Sequence, residues 1–184
     1  ANIITEITNF DITLSNSVVL NSTTLVTGET ATIGNLEGTN KAGTEEVNIS
    51  NATFTSSNPA VATINAAGTI KALTTGTTTI TVKSGEATKE ITLTVSSDAR
   101  VATSATANVE DVKIVNGTTK DVTVTVLDQY GDSFKSKEVI PAAGLTLQTD
   151  EETPKTVATV AASQNVTDTE GKATFTIWAH STNS

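Results

Sequence analysis

The chain has 184 residues, a formal net charge of −9 and no cysteine or methionine. Zero cysteine excludes disulfides, thiolate metal sites and cysteine nucleophiles. A polyanion is repelled by nucleic-acid phosphates and anionic lipid, which argues against both as partners.

Hydrophobic residues make up 36%, aromatics 3% and charged residues 17%, so Thr, Ser, Asn and Ala fill the remainder. Thr is β-branched and suits the exposed face of a strand. The low apolar content therefore describes thin-cored β domains rather than disorder. The length fits one large domain or two small ones. Ala1 is followed by no basic and apolar leader, and no run is long enough to span a bilayer. We expect a piece excised from a longer protein, with no membrane insertion.

In chain order, Ile3-Ile4 and Ile7 read as a leading strand or a linker. Phe10–Leu14 alternates with period two and predicts a strand. Val18–Leu20 and Thr24–Val26 follow, and Gly28-Glu29-Thr30 turns into a strand at Ala31–Ile33. Residues 34–52, with Gly34, Gly38 and Gly43, lack alternation. They predict a long loop with one short strand at Glu46–Ile49. Thr53–Thr55 resumes strand character.

Residues 56–82 hold three apolar pairs, Val61 and Ile64, Ile70 and Leu73, Ile80 and Val82. Asn58-Pro59, Ala67-Gly68 and Gly76 punctuate them. Turns at this spacing between β-branched runs describe antiparallel strands of a sandwich. Ile91, Leu93 and Val95 share one face of a closing strand.

Ser96–Arg100 is polar, short and follows that strand, which makes it the expected domain boundary. In the second half, Val109, Val112, Ile114 and Val115 predict a first strand region, with a turn at Asn116-Gly117. Asp121–Leu127 is the cleanest alternating strand of the chain. Asp128–Asp132 turns out of it, and Val139–Pro141 ends the next run. Leu145–Leu147, Val157–Val160 and Ala173–Trp178 read as strands, separated by turns at Asp150–Pro154 and Asp168–Lys172. A sandwich of this kind normally ends with a strand pairing 175–178, and only polar residues 179–184 follow. The second half thus runs one strand short.

The stretch over residues 10–95 resembles bacterial immunoglobulin-like domains of group 2. Gly28-Glu29-Thr30, Ser56–Ala62, Ala67–Ile70, Gly76–Val82 and Ile91–Val95 match that pattern in order. Phe54 stands where the pattern has Trp. Residues 122–132 are similar to the invasin-like group 1 strand and its Asp-x-x-Gly-Asn turn, with Asp132 in place of Asn. Asp168–Phe175 resembles a later strand of that group.

The resemblance implies an all-β chain of two tandem Ig-like β-sandwich domains joined by a short linker, 1–97 and 98–184. Such modules occur in surface-layer (S-layer) proteins of bacilli. That implies a non-enzymatic structural segment of an extracellular cell-surface protein, self-assembling into a lattice with copies of itself and neighbouring domains. The alternative is a stalk or accessory binding module of an adhesin or a secreted polysaccharide-degrading enzyme.

No residue pattern points to catalysis. His180 is the single histidine and sits in a polar tail, without an orienter or nucleophile nearby in sequence. Gly171-Lys172 lacks the first glycine and the Ser/Thr of a phosphate loop. Glu45-Glu46, Glu110-Asp111 and Asp150–Glu152 are adjacent turn acids, not carboxyls facing across a cleft.

Asp98, Asp128 and Asp132 are the calcium candidates, with Glu110-Asp111 nearby, because loops at a domain junction can supply several oxygen ligands. The competing and preferred reading is that these aspartates cap turns through their own backbone. Trp178 alternates to the face opposite Phe175 and Ile177 and is expected as an exposed contact.

Overall fold

The computed structural model describes residues 3–46, 48–115, 117–140 and 156–181, with the backbone alone at 156–164, 180 and 181. The chain divides into two compact units. The first comprises Ala1–Val101 together with the tripeptide Tyr130–Asp132, and the second Ala102–Gln129 with Ser133–Ser184.

Among the described residues the first unit holds nine strands: β1 Ile4–Leu14, β2 Thr24–Val26, β3 Thr30–Asn40, β4 Glu45–Glu46, β5 Ala52–Ser56, β6 Ala62–Ile64, β7 Thr69–Ala72, β8 Gly76–Ser84 and β9 Ala87–Ser96. One sheet runs β1-β3-β7-β6, with β4 also on β3, and the other runs β2-β9-β8-β5. The pairs are antiparallel except β2 on β9, where Thr24, Leu25 and Val26 run parallel to Thr94, Val95 and Ser96.

Alternation in sequence becomes alternation in burial. Ile80 and Val82 of β8, and Leu93 and Val95 of β9, point inward from one sheet. Ile12, Leu14, Ala31, Ile33 and Ile70 point inward from the other, and all belong to one apolar cluster with Leu25 and Val18. That shared core makes the unit a β-sandwich. Each fully buried Leu, Ile or Val stabilises it by about 1.5–3 kcal/mol. Ile64, Ile91 and Phe54 pack against the cluster while partly exposed, but Leu73 faces solvent rather than the core.

Residues 34–40 are not loop. They continue β3, and the short strand lies at Glu45–Glu46 rather than 46–49. The pairing with β1 shifts register between Ile4 and Glu6, Ile7 and Asn9, and Asn9 and Asp11. Those bulges conceal the period-two pattern. At Gly38 a Cβ would collide with the backbone carbonyl of Glu6, so glycine there marks close strand approach. Val18–Leu20 forms no strand, only an isolated bridge from Val19 to Thr13.

The second unit holds β10 Ala102–Ala107, β11 Thr119–Asp128, β12 Thr156–Gln164 and β13 Lys172–Ser181, in the order β10-β11-β13-β12. Val126, Ala173, Phe175, Ile177 and Ala179 are buried. Thr167 clips the segment after β11: its hydroxyl donates to the Phe134 carbonyl at 2.6 Å and accepts from the Lys137 amide at 2.8 Å.

The strand expected around Val109–Val115 is absent. The first strand of this unit is instead the fully exposed Ala102–Ala107. His180 is not in a tail but in β13, opposite Val157. Asn116 and the predicted features at Pro141, Leu145–Leu147 and Asp150–Pro154 fall outside the described residues.

Candidate functional site

The densest polar arrangement of the first unit gathers around Arg100. This residue follows β9 and the Ser96–Asp98 turn, and its side chain is only 12% exposed. Nε lies 2.8 Å from Glu29 Oε1, and Nη2 lies 3.2 Å from Glu29 Oε2, a two-point grip on one carboxylate. Nη1 donates to Asp132 Oδ2 at 2.7 Å, and Nη2 also donates to the Thr24 carbonyl at 2.8 Å. The Tyr130 ring centroid is 5.3 Å from the guanidinium carbon, within cation–π range.

Each partner is held in turn by local backbone. Glu29 sits in the Gly28-Glu29-Thr30 turn, where its amide donates to the Val26 carbonyl and its Oε2 accepts from the Val26 amide at 2.8 Å. Gly131 has φ of +82°, a left-handed conformation that glycine takes without strain. The tight turn presents Asp132 beside Tyr130.

The Asp132 carboxylate is fully buried. Oδ1 accepts from the Asn21 and Ser22 amides, each at 2.7 Å. Oδ2 accepts from the Ser22 hydroxyl and from Arg100, each at 2.7 Å. Four donors thus occupy the four lone-pair positions of the carboxylate. The Asn21 side-chain amide donates to the Gly131 carbonyl at 3.1 Å, and the Tyr130 hydroxyl donates to the Asp98 carbonyl at 2.7 Å.

Glu29 and Asp132 both present a carboxylate to Arg100, and the Asn21 and Ser22 main-chain dipoles face that of Asp132.

The calcium candidates fall in different settings. Asp132 already faces a guanidinium, so a cation there has to displace Arg100. Asp128 is buried at the end of β11. Asp98 is exposed and contributes its backbone to the Tyr130 contact. Glu110 and Asp111 are exposed. Among the described residues no three His, Cys, Asp or Glu side chains form a group able to hold a metal ion.

In the sequence Glu29 reads as turn punctuation, Arg100 as linker and Asp132 as a candidate ligand. The charge of Asp132, standing where the resembled turn has Asn, was the available signal.

Turn capping accounts for other polar residues. Asp168 Oδ1 accepts from the Glu170 amide at 2.8 Å and the Lys172 amide at 3.0 Å. In the Ser56–Pro59 stretch, buried Thr78 is the hub. Its hydroxyl oxygen accepts from the Asn58 amide at 2.9 Å and lies 2.8 Å from Ser56 Oγ. Ser56 Oγ donates to the Ala62 carbonyl at 2.7 Å.

A cleft of about 370 Å³ opens beside Ile33, Leu36, Ile49 and Phe54, with Asn35 and Asn48 at its wall. Among the described residues no acid or base lines it. Trp178 is 48% exposed, while Phe175 and Ile177 face inward.

Residues 50–97 match the family model of the bacterial Ig-like domain (Big-like). The matched region is similar to that family. It covers β5 to β9 of the Ig-like unit, including the Thr78 hub.

The chain is also 39% identical over 131 residues to an S-layer protein of Bacillus licheniformis, a match covering 68% of this chain and 15% of that protein. Identity to the S-layer protein EA1 of Bacillus anthracis is 34% over 131 residues, with the same 68% and 15% coverage. The chain therefore spans about a seventh of the length of these curated relatives. Among solved structures it is similar to domains 4 and 5 of the S-layer protein SbsC, at 23% identity and a TM-score of 0.42, covering 97% of this chain and 89% of that one.

Proposed function

We propose that this chain is a structural, non-enzymatic segment of an extracellular bacterial surface-layer protein, one that self-assembles into a lattice on the cell surface. The observation that carries this reading is the 39% identity over 131 residues to an S-layer protein. The Ig-like unit fits it, because a continuous close-packed apolar core makes a rigid spacer. In this role the segment contributes spacing and lateral surface, and Trp178 is a contact residue for a neighbouring copy or domain.

Immunogold labelling with antibodies raised against this 184-residue chain tests the reading. Gold on a periodic array at the surface of intact cells is the expected result. Label confined to surface filaments supports an adhesin stalk instead. Co-purification with a polysaccharide-degrading activity supports an accessory module, and either outcome overturns the lattice assignment.

A further inference from the structure

We infer that Tyr130–Asp132 is an integral part of the first Ig-like unit, and that Asp132 is the residue that positions the edge strand β2. The strand is three residues long and pairs in parallel with β9. Parallel pairing is slightly weaker per residue than antiparallel, and a short edge strand is the part of a sheet most exposed to local opening. Leu25 supplies a fully buried anchor at its centre.

The polar groups on either side of Leu25 converge on the Arg100 cluster. The Thr24 carbonyl accepts from Arg100, and the Val26 amide donates to Glu29. The Asn21 and Ser22 amides, at the entry to the strand, donate to Asp132. The path into β2, its first carbonyl and its last amide are thus tied to one buried ion network.

The Arg100 cluster reads more than charge. Its carboxylate pocket is formed by the Asn21 and Ser22 amides, the Ser22 hydroxyl and Arg100. Asn21 also reads the Gly131 carbonyl, and Arg100 and the Asp98 carbonyl receive the ring and hydroxyl of Tyr130. The occupant it fits is an aspartyl turn of sequence Tyr-Gly-Asp, which the chain itself supplies from 32 residues beyond Arg100. A boundary drawn at 97 removes both Arg100 and that occupant, and leaves Glu29 and the Asn21 and Ser22 amides without their partners.

Residue-resolved amide exchange on the whole 184-residue protein tests this, comparing wild type with D132A. The expected result is about tenfold or greater acceleration at Asn21, Ser22 and Val26 beyond any acceleration shared with Ile80, Val82 and Leu93. Unaltered exchange at Asn21 and Ser22 overturns the inference. So does acceleration by one common factor at Asn21, Ser22 and Val26 and throughout β8 and β9, which means general destabilisation rather than control of β2. If D132A fails to fold, D132N carries the test, because it keeps one oxygen acceptor and removes the charge. The same local pattern at smaller amplitude is expected for D132N, and wild-type exchange at Ser22 overturns the inference.

Discussion

Asp132 shows how much one carboxylate contributes when all its acceptor positions are filled inside a protein. Forming a buried ion pair gains little net energy, because desolvation offsets attraction, but removing one partner leaves an uncompensated charge. Asp132→Ala is expected to lower unfolding free energy by about 3–5 kcal/mol, measured by denaturant titration. Ser22→Ala, which keeps both main-chain donors to Oδ1, is expected to cost only about 1 kcal/mol.

Thr78 follows the same logic with neutral groups. Thr78→Val is nearly isosteric but leaves the Asn58 amide without its acceptor. A loss of about 1–3 kcal/mol is expected in the same titration. The Asn58-Pro59 turn signal was legible from residue types alone. Its anchoring by Thr78, 20 residues later, was not, because a buried threonine on an alternating strand looks like a surface one.

At the level of elements, legibility followed burial. β8, β9 and β13 bury one face, so apolar and polar residues alternate and the strands can be read directly; β11 alternates in sequence although only Val126 and Asp128 of it are buried. β10 buries neither face, and its Ala/Thr/Ser sequence carries no period. The second half of β3 does not read as a strand because bulges opposite β1 shift the phase, and because Gly38 and Asn40 are buried in place of large apolar side chains.

Asn40 shows why a polar residue fits there. Its Oδ1 accepts from the Ala42 and Thr44 amides at 2.9 and 3.0 Å, and its Nδ2 donates to Glu46 at 2.8 Å, which caps the turn into β4. Gly38→Ala puts a methyl group against the Glu6 carbonyl. Because the obstacle is backbone, β1 must move. We expect a loss of about 1–3 kcal/mol, with thermal melting as the measurement and the largest NMR shift changes at Ile4–Ile7.

For the whole molecule, the Ig-like character of the first half was readable because five turn-and-strand signatures fall in order between residues 28 and 95. The Arg100 cluster was not. Its acids lie 71 residues before and 32 residues after in the chain, and charge pairs so far apart leave no periodic trace. The same cluster bears on cations. With Asp132 committed to Arg100 and Ser22, its oxygens are not available as calcium ligands without breaking an ion pair. The melting temperature of this segment is therefore expected to be the same in millimolar calcium and in chelator. A calcium-dependent rise abolished by Asp132→Asn would contradict this.

The return of the chain to the first unit also imposes a timetable. A ribosome adds about 5–20 residues per second, so Arg100 is made some two to six seconds before Asp132, 32 residues later. During that interval the sequence of β1 to β9 has been made, while the carboxylate that receives the Ser22 and Asn21 amides has not. The apolar core residues of the first sandwich are all synthesised before its ion network can be completed, and the Asp132 contacts close only after part of the following unit has been made. Folding of this unit is thus tied to the progress of synthesis beyond its own last strand.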